Sequence, residues 1–231
     1  MVKIKICGIT NGRDASMAVE LGVDALGFIF APSPRRVSPE KARRIISALP
    51  PFVKTVGVFV NEEKDRIQDI MQYCGIDQAQ LHGDESPGFC RNLMPRVIKA
   101  FRVKDAAGLL PVRRYEGRIR ALLLDTYQEG TPGGTGKAFD WRLAAHARGF
   151  GVPLILAGGL NPTNIRHAVR AVKPYAVDIN SGIEARAGEK DPVLMGRLMK
   201  EIERVKNPGP EDQALLCPCK GLGCRKQQSL K

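Results

Sequence analysis

Eight short runs rich in apolar and β-branched residues recur at a regular spacing along this chain of 231 residues. The first begins at Lys3 and the eighth at Tyr175, so seven steps span 172 residues, about 25 residues each. That length corresponds to one strand-plus-helix unit of a (β/α)8 barrel of about 250 residues. The predicted strands are 3–7, 24–30, 53–60, 78–82, 97–103, 120–125, 153–157 and 175–180.

The segments between these runs have the period of amphipathic helices. Ala42, Ile45, Ile46 and Leu49 follow the i, i+3, i+4, i+7 template, and three later segments repeat it. Four helix starts combine a side-chain acceptor with proline at the first helical position. These are Ser38-Pro39, Ser86-Pro87, Asn161-Pro162 and Asp191-Pro192. The weakest unit is the fifth, 105–114, where glycine and proline predict only a short helix.

Strand and helix alternating eight times favour a closed parallel sheet over an open one. We therefore predict an α/β fold, a single (β/α)8 barrel over residues 1–206. The helical pattern stops at Asn207-Pro208-Gly209-Pro210, so residues 207–231 are predicted to be a disordered tail. Its Cys217, Cys219 and Cys224 offer only three thiols at a spacing that matches no standard zinc pattern.

Composition limits the classes of function less sharply than the repeat does. The 36 basic and 24 acidic residues give a net charge of +12, but the basic residues are scattered and no aromatic residues interleave with them. Nucleic-acid binding is therefore not predicted. No apolar run approaches the roughly 20 residues of a membrane span, and the N-terminus does not resemble a signal peptide. We expect a cytoplasmic protein without a membrane partner.

In a (β/α)8 barrel the active site lies at the rim formed by the carboxyl ends of the strands. The last two loops at this rim contain Gly158, Gly159, Ser181 and Gly182. Loops at these positions frequently bind phosphate, because small residues let backbone amides approach the ligand. Their alternative role is to form tight turns.

The loop 130–137 after the sixth strand contains a second glycine cluster, and the amides of Gly134 and Gly136 are further phosphate candidates. It does not match the P-loop spacing, and no dinucleotide fingerprint follows the first strand.

Cys7 and Asp125 end strands one and six and are the candidate acid–base pair. Cysteine acts as a base only where positive charge or amide dipoles lower its pKa, and its alternative role is a small buried hydrophobe.

His82 contacts substrate or caps its loop. Lys99, inside strand five, is a weaker candidate for a Schiff-base lysine. No metal site is predicted, because metal-ligating residues do not cluster.

Together these residues resemble the phosphoribosylanthranilate isomerase family of tryptophan biosynthesis, over about residues 2–205. The segments that carry the resemblance are KICGIT (5–10), GVFVN (57–61), QLHG (80–83), LDT (124–126), GGTGKAFDW (133–141), GGLNP (158–162) and NSGIE (180–184). In this order the set is highly specific, although no single segment is.

The resemblance implies a cofactor-free Amadori rearrangement of a small phosphorylated, carboxylated substrate by a monomer or homodimer. It assigns Asp125 as general acid and Cys7 as general base, and it places Arg35 on the anthranilate carboxylate. Arg36 follows directly, where the family more often has an aromatic residue, so the choice between the two arginines stays open.

Two other functions are weighed against this one. Related sugar-phosphate isomerases of histidine biosynthesis, or dual-specificity relatives, usually place an aspartate at the end of strand one, where this chain has Cys7. A catalytically inactive barrel serving as a binding module is disfavoured by the intact Cys7–Asp125 pair.

Overall fold

The computed structural model describes residues 1–103, 105–125 and 141–207, in which eight parallel strands close into a barrel in the order β1 to β8. The predicted (β/α)8 fold is confirmed. The strands are β1 Lys3–Ile6, β2 Ala25–Ile29, β3 Lys54–Phe59, β4 Gln78–Leu81, β5 Val97–Arg102, β6 Ala121–Asp125, β7 Leu154–Ala157 and β8 Ala176–Ile179.

Helices follow the strands and cover the outside of the barrel. They are α1 Gly12–Glu20, α2 Pro39–Ile46, α3 Lys64–Cys74, α4 Pro87–Arg91, α5 Trp141–His146, α6 Ile165–Val172 and α7 Pro192–Lys206. After β5 a 3-10 helix, Ala106–Tyr115, takes the place of an α-helix and contains Pro111, in agreement with the weak pattern of the fifth unit. None of the described helices is both long and apolar enough to cross a bilayer.

The alternation of side chains along each strand separates two apolar layers. One set, which includes Ile4, Leu122 and Leu156, packs against the helices in the larger core. The other set points into the barrel, where Val56, Leu123 and their neighbours form a smaller cluster. Because successive side chains of a strand point to opposite faces, every second residue up to the rim shares the barrel interior.

Three of the four predicted helix starts are confirmed by their caps. The side chains of Ser38, Ser86 and Asp191 each accept a hydrogen bond from the first turn of the helix that follows. The prediction at Asn161 is wrong, because α6 begins three residues beyond Pro162 at Ile165. The Asn161 side chain instead accepts from the backbone N–H and the hydroxyl of Thr163, which folds 161–163 into a separate turn.

A two-stranded antiparallel hairpin, β9 Glu184–Arg186 and β10 Glu189–Lys190, follows β8 and was not predicted. It lies between β8 and α7 and brings Glu184 and Lys190 to the same side of the barrel mouth. Helix α7 ends at Lys206, as the sequence predicted. The predictions for 208–231 and for the loop 130–137 fall outside the described residues.

Lys99 does not point into the barrel, so the Schiff-base interpretation is wrong. It alternates with the inward-facing Ile98 and Ala100, and its ammonium is buried between β5 and the loop after β4. There Lys99 Nζ lies 3.1 Å from Glu85 Oε2 and donates to the Gly83 carbonyl at 2.7 Å. Lys99 therefore anchors the loop that carries His82.

Replacing Lys99 by methionine is expected to lower the free energy of unfolding by about 3–5 kcal/mol, because Glu85 would stay buried without its counter-charge. The matched control is Lys54→Met, since Lys54 Nζ lies 3.0 Å from Asp77 Oδ1 in an exposed pair. An exposed pair contributes about 1 kcal/mol or less. Urea unfolding followed by circular dichroism measures both, and equal losses would contradict the anchoring role.

Candidate active site

The rim at the carboxyl ends of the strands brings the two predicted acid–base residues to one mouth. Cys7 directly follows β1, is 5% exposed, and donates its backbone N–H to the Ile179 carbonyl at 2.8 Å. Asp125 is the last residue of β6. Asp125 lies two residues beyond the inward-facing Leu123, and Cys7 follows Ile6, which packs in the outer core, so both side chains face the barrel interior from different parts of the ring.

His82 lies beside Asp125 and links it to a residue that the sequence analysis missed. His82 Nε2 is 3.2 Å from Asp125 Oδ2, and His82 Nδ1 is 3.2 Å from Gln80 Nε2. With its proton on Nε2, the imidazole donates to the Asp125 carboxylate and accepts from the Gln80 amide. His82 in this tautomer stabilises the carboxylate form of Asp125.

Arg35 reaches the mouth from the loop after β2, but its guanidinium already has a partner. Its Nε lies 2.9 Å from Glu184 Oε1 and its second terminal nitrogen lies 2.6 Å from Glu184 Oε2, a bidentate pair. Arg36 is exposed, and its backbone pairs with Ile29. Arg35 uses Nε and one terminal nitrogen to bind Glu184. Its other guanidinium N–H groups can donate to a substrate carboxylate.

Glu184 holds two cations at once. Lys190 Nζ lies 2.9 Å from Glu184 Oε1 and also donates to the Asn180 carbonyl and side chain. Burial alone would raise the pKa of the Glu184 carboxyl, but hydrogen bonds from Arg35 and Lys190 outweigh it and lower that pKa. Burial lowers the pKa of Lys190, and Glu184 only partly offsets this. Glu184 and Lys190 are functional candidates that the sequence analysis did not single out.

The two predicted phosphate loops touch each other at this rim. Gly158 and Gly159 follow β7 with φ of 90° and 61°, a backbone conformation that favours glycine. Ser181 and Gly182 begin a short 3-10 helix after β8. A Cβ on Gly182 would overlap the Leu160 carbonyl oxygen, so only glycine lets the loops meet. Gly134 and Gly136 lie outside the described residues.

The remaining titratable groups of the mouth surround Cys7. Lys5 and Asp178 form a buried pair beneath it, with Lys5 Nζ 2.7 Å from Asp178 Oδ2. Burial raises the pKa of the Cys7 thiol, and the neighbouring ammonium groups of Lys5 and Lys190 oppose that rise without cancelling it. No cluster of three or more metal-ligating side chains occurs within 1–103, 105–125 and 141–207.

These features place the chain among the (β/α)8-barrel proteins whose functional groups converge at the carboxyl ends of the strands. The family profile described as N-(5'-phosphoribosyl)anthranilate (PRA) isomerase matches residues 4–201. A relative from Geobacter sulfurreducens, an N-(5'-phosphoribosyl)anthranilate isomerase, is 54% identical over 207 residues, which are 89% of this chain and 99% of the relative. The chain therefore belongs to the N-(5'-phosphoribosyl)anthranilate isomerase family, and it is an isomerase.

Two solved structures agree with this assignment. Phosphoribosyl anthranilate isomerase from Thermotoga maritima is 46% identical, with a TM-score of 0.82 over 88% of this chain and 99% of that one. A second phosphoribosyl anthranilate isomerase structure is 44% identical, with a TM-score of 0.79 over the same shares. It holds reduced 1-(o-carboxyphenylamino)-1-deoxyribulose 5-phosphate.

We expect Glu184 to make the stability of the fold depend on pH. Its lowered pKa means that its contribution is complete above the ordinary value of 4.5 and is lost as the pH falls through the lowered value. The advantage of the wild type over Glu184→Gln should therefore shrink below about pH 4.5. Urea unfolding at pH 7 and at pH 3.5–4.5, roughly the carboxyl range, measures this.

The control is Glu189→Gln on the same hairpin, because Glu189 pairs with Arg186 in the open, where 46% of its side chain is exposed. This variant should follow the wild-type pH dependence. If Glu184→Gln also follows it, the buried Arg35–Glu184–Lys190 cluster does not stabilise the fold through charge.

Proposed function

We propose that this chain converts N-(5-phosphoribosyl)anthranilate into 1-(2-carboxyphenylamino)-1-deoxyribulose 5-phosphate, the Amadori step of tryptophan biosynthesis. The observation that supports the proposal most is the joint placement of Cys7 and Asp125. Cys7 directly follows β1 and Asp125 ends β6, and their side chains face one mouth. The glycine loops after β7 and β8 lie on the arc of the ring between β6 and β1. Family membership and the ligand of the solved relative support the same reaction.

In the proposed first step, Asp125 is the general acid. The anthranilate nitrogen pushes its lone pair toward C1 while the bond between C1 and the ring oxygen breaks. The ring oxygen takes a proton from Asp125, and an open-chain iminium results. The adjacent His82, with its proton on Nε2, donates a hydrogen bond to the Asp125 carboxylate that forms.

In the proposed second step, the Cys7 thiolate removes the proton from C2, and the electron pair moves into the C1–C2 bond to neutralise the iminium nitrogen. The enolamine then becomes the ketone by losing a proton from the C2 hydroxyl and gaining one at C1. One proton is given by Asp125 and one is taken by Cys7, so the rearrangement is balanced. It needs no cofactor, because the substrate nitrogen acts as the electron sink.

Binding is proposed to use both ends of the substrate. Backbone amides of Gly158, Gly159, Ser181 and Gly182 face the phosphate, and Arg35 meets the anthranilate carboxylate. Gly134 and Gly136 would complete the phosphate site from the loop after β6. A net charge of +12 would steer a doubly anionic substrate toward the mouth, with an association rate that falls as salt rises.

Replacing either Cys7 or Asp125 by alanine is expected to lower kcat by roughly 10² or more, the usual contribution of a general acid or base. The fluorescence of phosphoribosylanthranilate, which disappears on conversion, provides the assay. Cys74→Ala is the matched control, because Cys74 lies on α3 outside the barrel. A folded Asp125→Ala protein with wild-type turnover would remove the acid assignment. Turnover of the histidine-pathway aminoaldose alone would contradict the proposed function.

Replacing Gly182 by alanine is expected to raise KM about tenfold or more, because the added Cβ forces the two phosphate loops apart. Gly196→Ala on α7 is the control, since a Cβ there meets nothing within 4 Å. That variant should keep the wild-type KM and gain up to about 1 kcal/mol of stability, as alanine is the better helix former. A wild-type KM in folded Gly182→Ala would argue against phosphate binding at these loops.

A further inference from the structure

Lys5 and Asp178 form a buried ion pair in the barrel interior that the proposed chemistry does not use directly. The two residues are register partners on β1 and β8, and their charged groups are 2.7 Å apart. The side chain of Lys5 is 4% exposed and that of Asp178 is 7% exposed. Taking two charges out of water is unfavourable, and apolar residues of similar volume often replace such pairs without loss of stability. The pair therefore calls for a role other than packing.

The position of Lys5 relative to Cys7 suggests that role. The two residues are separated by one position on β1, so both side chains point into the barrel. A Cβ placed on Gly27 of β2 would lie 2.7 Å from Cys7 Sγ and 3.1 Å from Lys5 Cε. The sulfur and the end of the lysine chain thus occupy the same space beside this glycine. From there the Lys5 ammonium donates a hydrogen bond to Asp178, and its positive charge acts on the neighbouring Cys7 sulfur.

Four charged groups act on the Cys7 sulfur, and Lys5 differs from the others. Lys190 and Arg35 are cations, but each is already paired with Glu184. Asp178 is negative and opposes the formation of a thiolate. Its second oxygen, Oδ1, is buried and accepts no hydrogen bond from the described part of the chain. Lys5 is therefore the cation that one carboxylate and the sulfur share.

We infer that Lys5 is a positioning residue for Cys7: its ammonium, held in place by Asp178 and given room by Gly27, is the counter-charge against which the Cys7 thiolate forms. The inference rests on the proposed role of Cys7 as the base. Asp178 keeps Lys5 charged and holds its ammonium in position. It accepts one N–H of that ammonium and leaves another N–H for the Cys7 sulfur. When the Cys7 thiolate takes the C2 proton it would become a neutral thiol. The Lys5 ammonium would stay in place beside it, without any movement of the chain.

The buried environment explains why such a counter-charge is needed. Burial by itself raises the pKa of Cys7 and disfavours the thiolate. Burial also lowers the pKa of Lys5, but Asp178 and Cys7 more than compensate and raise it overall. Without Lys5 the sulfur would keep the burial penalty and the repulsion from Asp178, and it would lose the positive charge that most favours its thiolate.

The test is the pH dependence with which iodoacetamide alkylates Cys7, followed by mass spectrometry of the peptide that contains it. This readout needs no substrate and separates Cys7 from the other cysteines. Lys5→Met is expected to move the midpoint of the alkylation curve up by about one pH unit, a tenfold lower rate on the rising limb. In the isomerase assay kcat should fall more than KM rises, and the acidic limb of kcat/KM should shift to higher pH.

Lys3→Met is the matched control, because Lys3 lies on the same strand and the same face and its ammonium is also 2.7 Å from a carboxylate, that of Asp24. That pair is exposed and remote from the sulfur, so this variant should keep the wild-type alkylation curve. Lys5→Arg keeps the charge and should recover part of the shift. If Lys5→Met does not fold, Lys5→Met/Asp178→Asn removes both buried charges, and its alkylation curve should still shift upward.

An unchanged alkylation curve in a folded variant that lacks Lys5 would overturn the inference, whatever happens to turnover. A shifted curve in a protein that never isomerises phosphoribosylanthranilate would leave the Lys5–Cys7 coupling in place and refute the proposed function instead. The two failures are thus distinguishable.

Discussion

The closed parallel barrel imposes a two-residue alternation on every strand, and the position of each functional group follows from it. Asp125 ends β6, and Cys7 and His82 directly follow β1 and β4. All three lie at the rim on the inward-facing parity. Lys5 and Asp178 share that parity one layer deeper. A slip of one residue in the register of any strand would move its polar groups into the apolar layer beneath the helices. Closure of the ring prevents such a slip, because both neighbours of each strand fix its register.

The interior changes character from one end of the barrel to the other. Its lower layers are filled by small and branched apolar side chains, among them Val56, Ala121 and Ile155. The upper layers contain ions that are paired and largely withdrawn from water. Attraction between charges strengthens as the surroundings become less polar, while an unpaired ion becomes more unfavourable. The charges at the mouth are therefore mutually dependent, and the loss of one partner affects groups on several strands.

The sequence predicted the parts of the fold whose signals are local. Strand positions came from apolar runs, and the helix starts at Ser38, Ser86 and Asp191 came from an acceptor followed by proline. The same rule failed at Asn161, whose side chain accepts hydrogen bonds from Thr163 in a turn that precedes the start of α6 at Ile165. The alternation along strand five also indicates that Lys99 faces away from the interior, since its neighbours Ile98 and Ala100 face inward.

Pairs distant in the sequence could not be predicted in this way. Arg35 and Glu184 are 149 residues apart, and nothing in either segment indicates the other. The hairpin that delivers Lys190 has a length and composition typical of any loop. Strand alternation puts Lys5 on the same face as Cys7, but the sequence analysis did not single it out, and its partner Asp178 required the closure of the ring. Local patterns thus predicted the rim residues, and the ion pairs between them emerged only from the three-dimensional fold.

The seam between β1 and β8 has a consequence for the newly made chain. Lys5 leaves the ribosome 173 residues before Asp178 does, so at roughly 5–20 residues per second its partner arrives about 9 to 35 seconds later. Until then the first strand has only β2 beside it, and one of its edges is open. Cys7 is thus synthesised early and acquires its electrostatic surroundings late, when translation of the barrel is nearly complete.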